Sequence, residues 1–80
     1  MMATESKIRP GVWVEVISTK KLDTSRLLEE YVVHRRVGRR GIVGCWFGPG
    51  VVVKHHNGHG PDGTTAGYAE SELRVIESPS

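Results

Sequence analysis

Residues 31–54 read YVVHRRVGRRGIVGCWFGPGVVVK, and the reading of this stretch decides the fold. Ile42-Val43 and Val51-Val52-Val53 are β-branched runs, and Gly48-Pro49-Gly50 lies between Cys45-Trp46-Phe47 and the second run. Branched and aromatic side chains fit a pleated surface, and a Gly-Pro-Gly between two such arms reverses the chain. The stretch therefore predicts a central β-hairpin. On its approach, Gly38 and Gly41 bracket Arg39-Arg40 and predict a bend or bulge.

Working outward, Arg9-Pro10-Gly11 is a turn signal, and Val12 to Ile17 alternates with Val12, Val14 and Val16 on one face, a half-buried first strand. Ser18 to Glu30 has room for one helical turn capped by Asp23, Thr24 or Ser25, or for a long loop. Downstream, His55 to Ala66, HHNGHGPDGTTA, lacks any bulky aliphatic residue and reads as an exposed loop. Tyr68 to Leu73 has the composition of a single 3₁₀ or α turn, and Leu73-Arg74-Val75-Ile76 of a closing strand. The expected architecture is all-β: a small SH3-like barrel of about five strands with at most one short helical turn. Its ordered part is expected over 8–76, between tails at 1–7 and 77–80.

Eighty residues make one domain, and a chain of this size buries only roughly 60% of the surface its unfolded form exposes. Eleven Lys and Arg against nine Asp and Glu give a formal charge of +2, too little to imply a polyanionic partner. The distribution is more telling, because Tyr31 to Lys54 holds four arginines and one lysine with no acid. Cys45 is the only cysteine, which excludes an internal disulfide and a multi-cysteine zinc site. No apolar run approaches the roughly 20 residues that span a bilayer, and the start has no apolar signal core, so a cytoplasmic protein without membrane insertion is expected.

Arg35, Arg36, Arg39 and Arg40, with Lys54 as an added point charge, form a candidate basic face for phosphates or an acidic protein surface. Trp46 beside them offers an aromatic platform. The competing reading has the arginines paired with Glu29, Glu30 or Glu72 and the tryptophans in the core. His55, His56 and His59 are weak candidates for metal ligands, since a glycine-rich loop holds ligands poorly. Cys45, between apolar residues on a strand, reads as a buried inert thiol. No paired carboxylates or catalytic triad can be placed at one site, so neither an enzyme nor a cofactor is expected.

The V-x-V-x-V strand after Pro10-Gly11, then Gly41-Ile42-Val43, Val51-Val52-Val53-Lys54 and a closing Tyr68-Ala69-Glu70-Ser71-Glu72-Leu73, resembles a group of SH3-like barrels. These are photosystem I reaction-centre subunit IV, the ferredoxin-thioredoxin reductase variable chain and the C-terminal barrel of nitrile hydratase β subunits. The segment Ser25-Arg26-Leu27-Leu28 to Tyr31-Val32 resembles the nitrile hydratase version in particular. The resemblance implies a non-catalytic module that packs on a larger protein complex. The glycine-valine pattern is also shared with KOW-type barrels, which makes nucleic acid, RNA or DNA, the alternative partner.

Overall fold

The computed structural model describes residues 8–25, 27–48 and 50–77. Five strands lie within them: β1 (Trp13–Val16), β2 (Arg40–Phe47), β3 (Gly50–His56), β4 (Pro61–Tyr68) and β5 (Leu73–Val75). They form one antiparallel sheet in the order β4-β3-β2-β1-β5, so each consecutive pair from β1 to β4 is adjacent and β5 returns beside β1. No ladder joins β4 to β5 among the described residues. Two 3₁₀ turns, Glu29–Tyr31 and Glu70–Glu72, complete the elements, one more than the sequence suggests. The expected tail at 1–7, residues 78–80 of the expected tail at 77–80, and Pro49 of the Gly-Pro-Gly turn lie outside the described residues.

The β2–β3 hairpin forms as the valine runs require, with Val43 opposite Val53 and Phe47 opposite Gly50. Alternation then sorts the side chains. Val14, Val16, Val43, Val51, Val53, Ala66, Tyr68 and Leu73 face one side and are buried together with Ile8, and Val12 packs against them. Burying each valine removes its side chain from water at a gain of roughly 1.5–3 kcal/mol. The opposite, outer face carries Trp13, Glu15, Arg40, Ile42, Val52, Lys54, His56 and Arg74.

The β-bulge lies at Gly44, inside β2, where the β2–β3 register shifts between Val43 and Cys45, and not at Gly41, which pairs in register with His55. Of the two glycines expected to bend the chain, only Gly38 takes a positive φ, 94°. One extra residue on β2 places Cys45 opposite Val52, on the outer side. Cys45 is therefore exposed, not the buried thiol that its apolar neighbours suggested. Gly41 meets a different constraint. A Cβ there would overlap the Lys54 carbonyl oxygen and lie 2.8 Å from Val53 Cγ1. Because the obstructing atom is backbone in a central ladder, Gly41→Ala is expected to cost about 1–3 kcal/mol in urea unfolding. Gly44→Ala, whose nearest neighbour would be the Val52 carbonyl oxygen at 3.5 Å, is expected to be close to neutral. Equal losses at the two sites would contradict this packing.

The largest departure concerns His55 to Ala66. Its first two residues end β3, Pro61 onward is β4, and only residues 57–60 make the connection. β4 lacks aliphatic bulk because its inward positions bond rather than pack: Thr64 and Asp62 meet polar partners, and Ala66 and Tyr68 reach the core. His55 is fully buried. A strand built from small and hydroxylated residues carries no hydrophobic alternation from which it could be read.

Candidate functional site

The four arginines do not form one patch. Arg35 turns inward, and one terminal nitrogen donates to both oxygens of the fully buried Glu72 carboxylate at 2.5 and 2.6 Å. Lys21 and Ala69 add backbone N–H bonds to the same carboxylate, each 2.9 Å long. The Arg35 guanidinium also lies 5.4 Å from the centre of the Tyr68 ring. Glu72 thus ties the start of the β1–β2 connection, its arginine-rich end and the turn before β5 into one knot.

Arg39 is occupied as well. It pairs with Asp62, donates to Thr64 Oγ1 at 3.2 Å and reaches the His34 carbonyl at 3.4 Å. Beneath it runs a chain of hydrogen bonds with a defined direction. The Arg36 backbone N–H donates to the Tyr68 hydroxyl, whose own proton goes to His55 Nε2 at 2.8 Å. The His55 proton therefore sits on Nδ1 and goes to Thr64 Oγ1 at 2.9 Å, and Thr64 donates to Asp62 Oδ1 at 2.6 Å. Burial, reinforced by the nearby Arg39 charge, lowers the His55 pKa from 6.5 to about 4, so the ring is neutral at physiological pH. Burial likewise pushes the Tyr68 hydroxyl up to about 12. The Thr64 hydrogen bonds, ahead of the Arg39 charge, hold the Asp62 carboxyl below its ordinary value. Within this His-Thr-Asp constellation His55 is fully buried, and both its imidazole nitrogens already have partners.

The three candidate metal ligands separate for the same geometric reason. His55 faces the core, His56 faces outward against the edge of Trp13 at 4.6 Å between ring centres, and His59 lies in the β3–β4 connection. Consecutive strand residues point to opposite faces, so His55 and His56 cannot share an ion. Among the described residues no group of three or more His, Cys, Asp or Glu side chains could hold a metal.

Arg36, Arg40, Lys54 and Trp46 remain at the surface. Trp46 is 44% exposed, with its indole N–H donating to the Ile8 carbonyl at 3.1 Å. Arg40 and Lys54 belong to the outer sheet face, where Arg74 joins them. Glu15 lies between Arg40 and Arg74 and pairs with both. On that face three cations meet one acid among the described residues, so the face is basic, but its members come from β2, β3 and β5 rather than from the arginine run.

Next to the basic area lies a feature that the sequence reading missed. Leu27, Leu28 and Tyr31 from the β1–β2 connection, with Phe47, Val52 and Gly67 from the outer sheet face, line an apolar groove of about 260 Å³. Gly67 keeps its floor low, since a Cβ there would come within 3.0 to 3.2 Å of the Phe47 ring and Leu27. Lys54 stands on β3 two residues beyond Val52, on the same face, and the exposed Glu29 and Glu30 follow Leu28 at the other margin. The available signal was the pair Leu27-Leu28 within an otherwise polar connection.

Fold and surface together define a small all-β protein whose five-stranded antiparallel sheet presents a basic and an apolar area on one face. The chain matches no known family model, no curated protein and no solved structure.

Proposed function

We propose that this chain is a non-catalytic docking module, an SH3-like barrel in its architecture, that seats a segment of a larger protein assembly on its outer sheet face. The observation that carries the reading is the apolar groove beside Lys54 and the basic area. The occupant it fits is a protein segment with apolar anchors for the groove and acidic residues for Lys54, Arg40 and Arg74. Buried apolar anchors supply most of the energy of such contacts, and the charges at the rim supply orientation and rate. Leu28 is 65% exposed at the groove margin and extends the apolar surface that Leu27, Tyr31, Phe47 and Val52 present there. The five-strand antiparallel order and the 3₁₀ turn before the last strand support the SH3-like reading at the level of fold.

The test is affinity capture from the native host after nuclease treatment, followed by direct binding of the captured protein. Leu28→Asp is expected to weaken binding by about 2 kcal/mol, and Lys54→Glu to weaken it and reduce its salt dependence. Val33→Ser, exposed and outside the groove, should bind as wild type. Loss of the bound material on nuclease treatment, or binding indifferent to Leu28→Asp, would reject docking; the former result would favour nucleic acid.

A further inference from the structure

At one end of the sheet, where β2 begins and β3 ends, Gly38, Arg39, Arg40, His56, Asn57, Gly58 and Asp62 line an open cleft of about 410 Å³. This cleft is separate from the apolar groove and shares none of its lining residues. Among the described residues, two buried side-chain nitrogens have no hydrogen-bond partner: Arg35 Nε and, in the cleft lining, His56 Nδ1. A buried polar nitrogen left unbonded costs free energy, which a ligand bound against the His56 ring would recover.

The charges around that nitrogen select the ligand. Arg39 and Asp62 neutralise each other across the cleft wall. Arg40 is different. It lies directly opposite His56 in the β2–β3 ladder, which brings the two side chains together on one face. Its side chain is 53% exposed, and it approaches Glu15 through Nε at 3.6 Å, longer than a hydrogen bond. Glu15 is meanwhile held by Arg74 as well, so its charge stays compensated when Arg40 turns toward the cleft. Asn57 accepts the His59 backbone N–H through Oδ1 at 2.9 Å, which leaves its Nδ2 group to donate. The edge contact with Trp13 holds the His56 ring in place.

We propose that this cleft binds the phosphate group of a small molecule, with Arg40, His56 Nδ1–H and the Asn57 amide as its donors. A guanidinium fork matches two phosphate oxygens, and a tetrahedral anion has a third oxygen to offer the imidazole at the end of the neighbouring strand and the amide just beyond it. A planar carboxylate has only two oxygens and satisfies fewer of these donors. The cleft shares no lining residue with the apolar groove, but it shares Arg40 with the basic area of the proposed docking surface, and the phosphate titration tests it without any protein partner.

The test is an NMR titration of the 15N-labelled full chain with inorganic phosphate, at ionic strength held constant with chloride, observing backbone amides and imidazole nitrogens. Saturable shifts at low millimolar phosphate are expected for His56 Nδ1 and for the Asn57 and Gly58 amides. Acetate is expected to bind more weakly. Arg40→Ala is expected to lower phosphate affinity about tenfold. His56→Phe, which keeps a ring against Trp13, should also weaken binding, and the amide spectrum of each variant reports directly whether it is folded. Absence of saturable shifts, equal responses to phosphate and acetate, or an affinity unchanged in folded Arg40→Ala would each overturn the proposal.

Discussion

Glu72→Gln is expected to destabilise the protein by about 3–5 kcal/mol, a large part of the total stability of a small domain. Glutamine preserves the shape of the side chain and removes its charge. The Arg35 guanidinium, with only 7% of its side chain exposed, then stays buried beside a neutral amide. The carboxylate also accepts the Lys21 and Ala69 backbone N–H groups, and a glutamine amide has one oxygen where Glu72 has two. The effect is thus local in chemistry and spread over three chain segments. Urea unfolding at neutral pH measures it. Arg35→Lys keeps the charge and loses the planar fork, so an intermediate loss is expected, and it serves as the readout if Glu72→Gln does not fold. A loss below about 1 kcal/mol in both variants would show that the knot does not hold the β1–β2 connection to the sheet.

The second large effect is the response to acid. In the unfolded chain His55 takes up a proton near its ordinary pKa of 6.5, whereas in the folded protein it does so only near pH 4. Between these values the unfolded state binds more protons, so falling pH favours unfolding. The stabilisation is complete above pH 6.5, declines through the window down to about pH 4 and is gone below it. The difference corresponds to about 3 kcal/mol. Tyr68, Thr64, Asp62, Arg39 and His34 are the polar or charged groups that act on the ring, and none of the carboxyls among them titrates inside this window: the Asp62 carboxyl is held below its ordinary 3.8. Stability measured by urea unfolding at a series of pH values should show this slope. His55→Gln, which cannot take up the proton, should be less stable at pH 7 and much flatter from pH 6.5 to 4. A variant that keeps the wild-type slope would assign the acid response to another group.

Both predictions arise from residues whose place could not be read in one dimension. Glu72 lies in a short polar turn, ESE, that resembles a solvated one, and it is buried because two backbone N–H groups and a distant guanidinium converge on it. Arg35 had three acids to choose among, and only the packing of the β1–β2 connection selected Glu72. His55 sits among histidines and glycines, where composition signals a loop. In the fold, the Tyr68 hydroxyl and Thr64 supply the hydrogen bonds that a buried imidazole needs. The apolar groove combines two leucines from a connection with Phe47 and Val52 from a hairpin, a juxtaposition that no local pattern encodes.

What the sequence by itself determined is the hydrophobic alternation and its interruptions. Val14 and Val16, the β2–β3 hairpin with Val43 facing Val53, the 3₁₀ turn at Glu70–Glu72 and the short β5 after it follow from side-chain shape and turn chemistry, which act over a few residues. Tertiary structure alone decided that PDGTTAGY is a strand, that Arg35 and Arg39 are spent inside while Arg40 and Lys54 face out, and that Cys45 is exposed. The reason is physical. A polar residue is buried only where partners from elsewhere in the chain satisfy it, and a single extra residue at Gly44 turns the side chains after it to the other face.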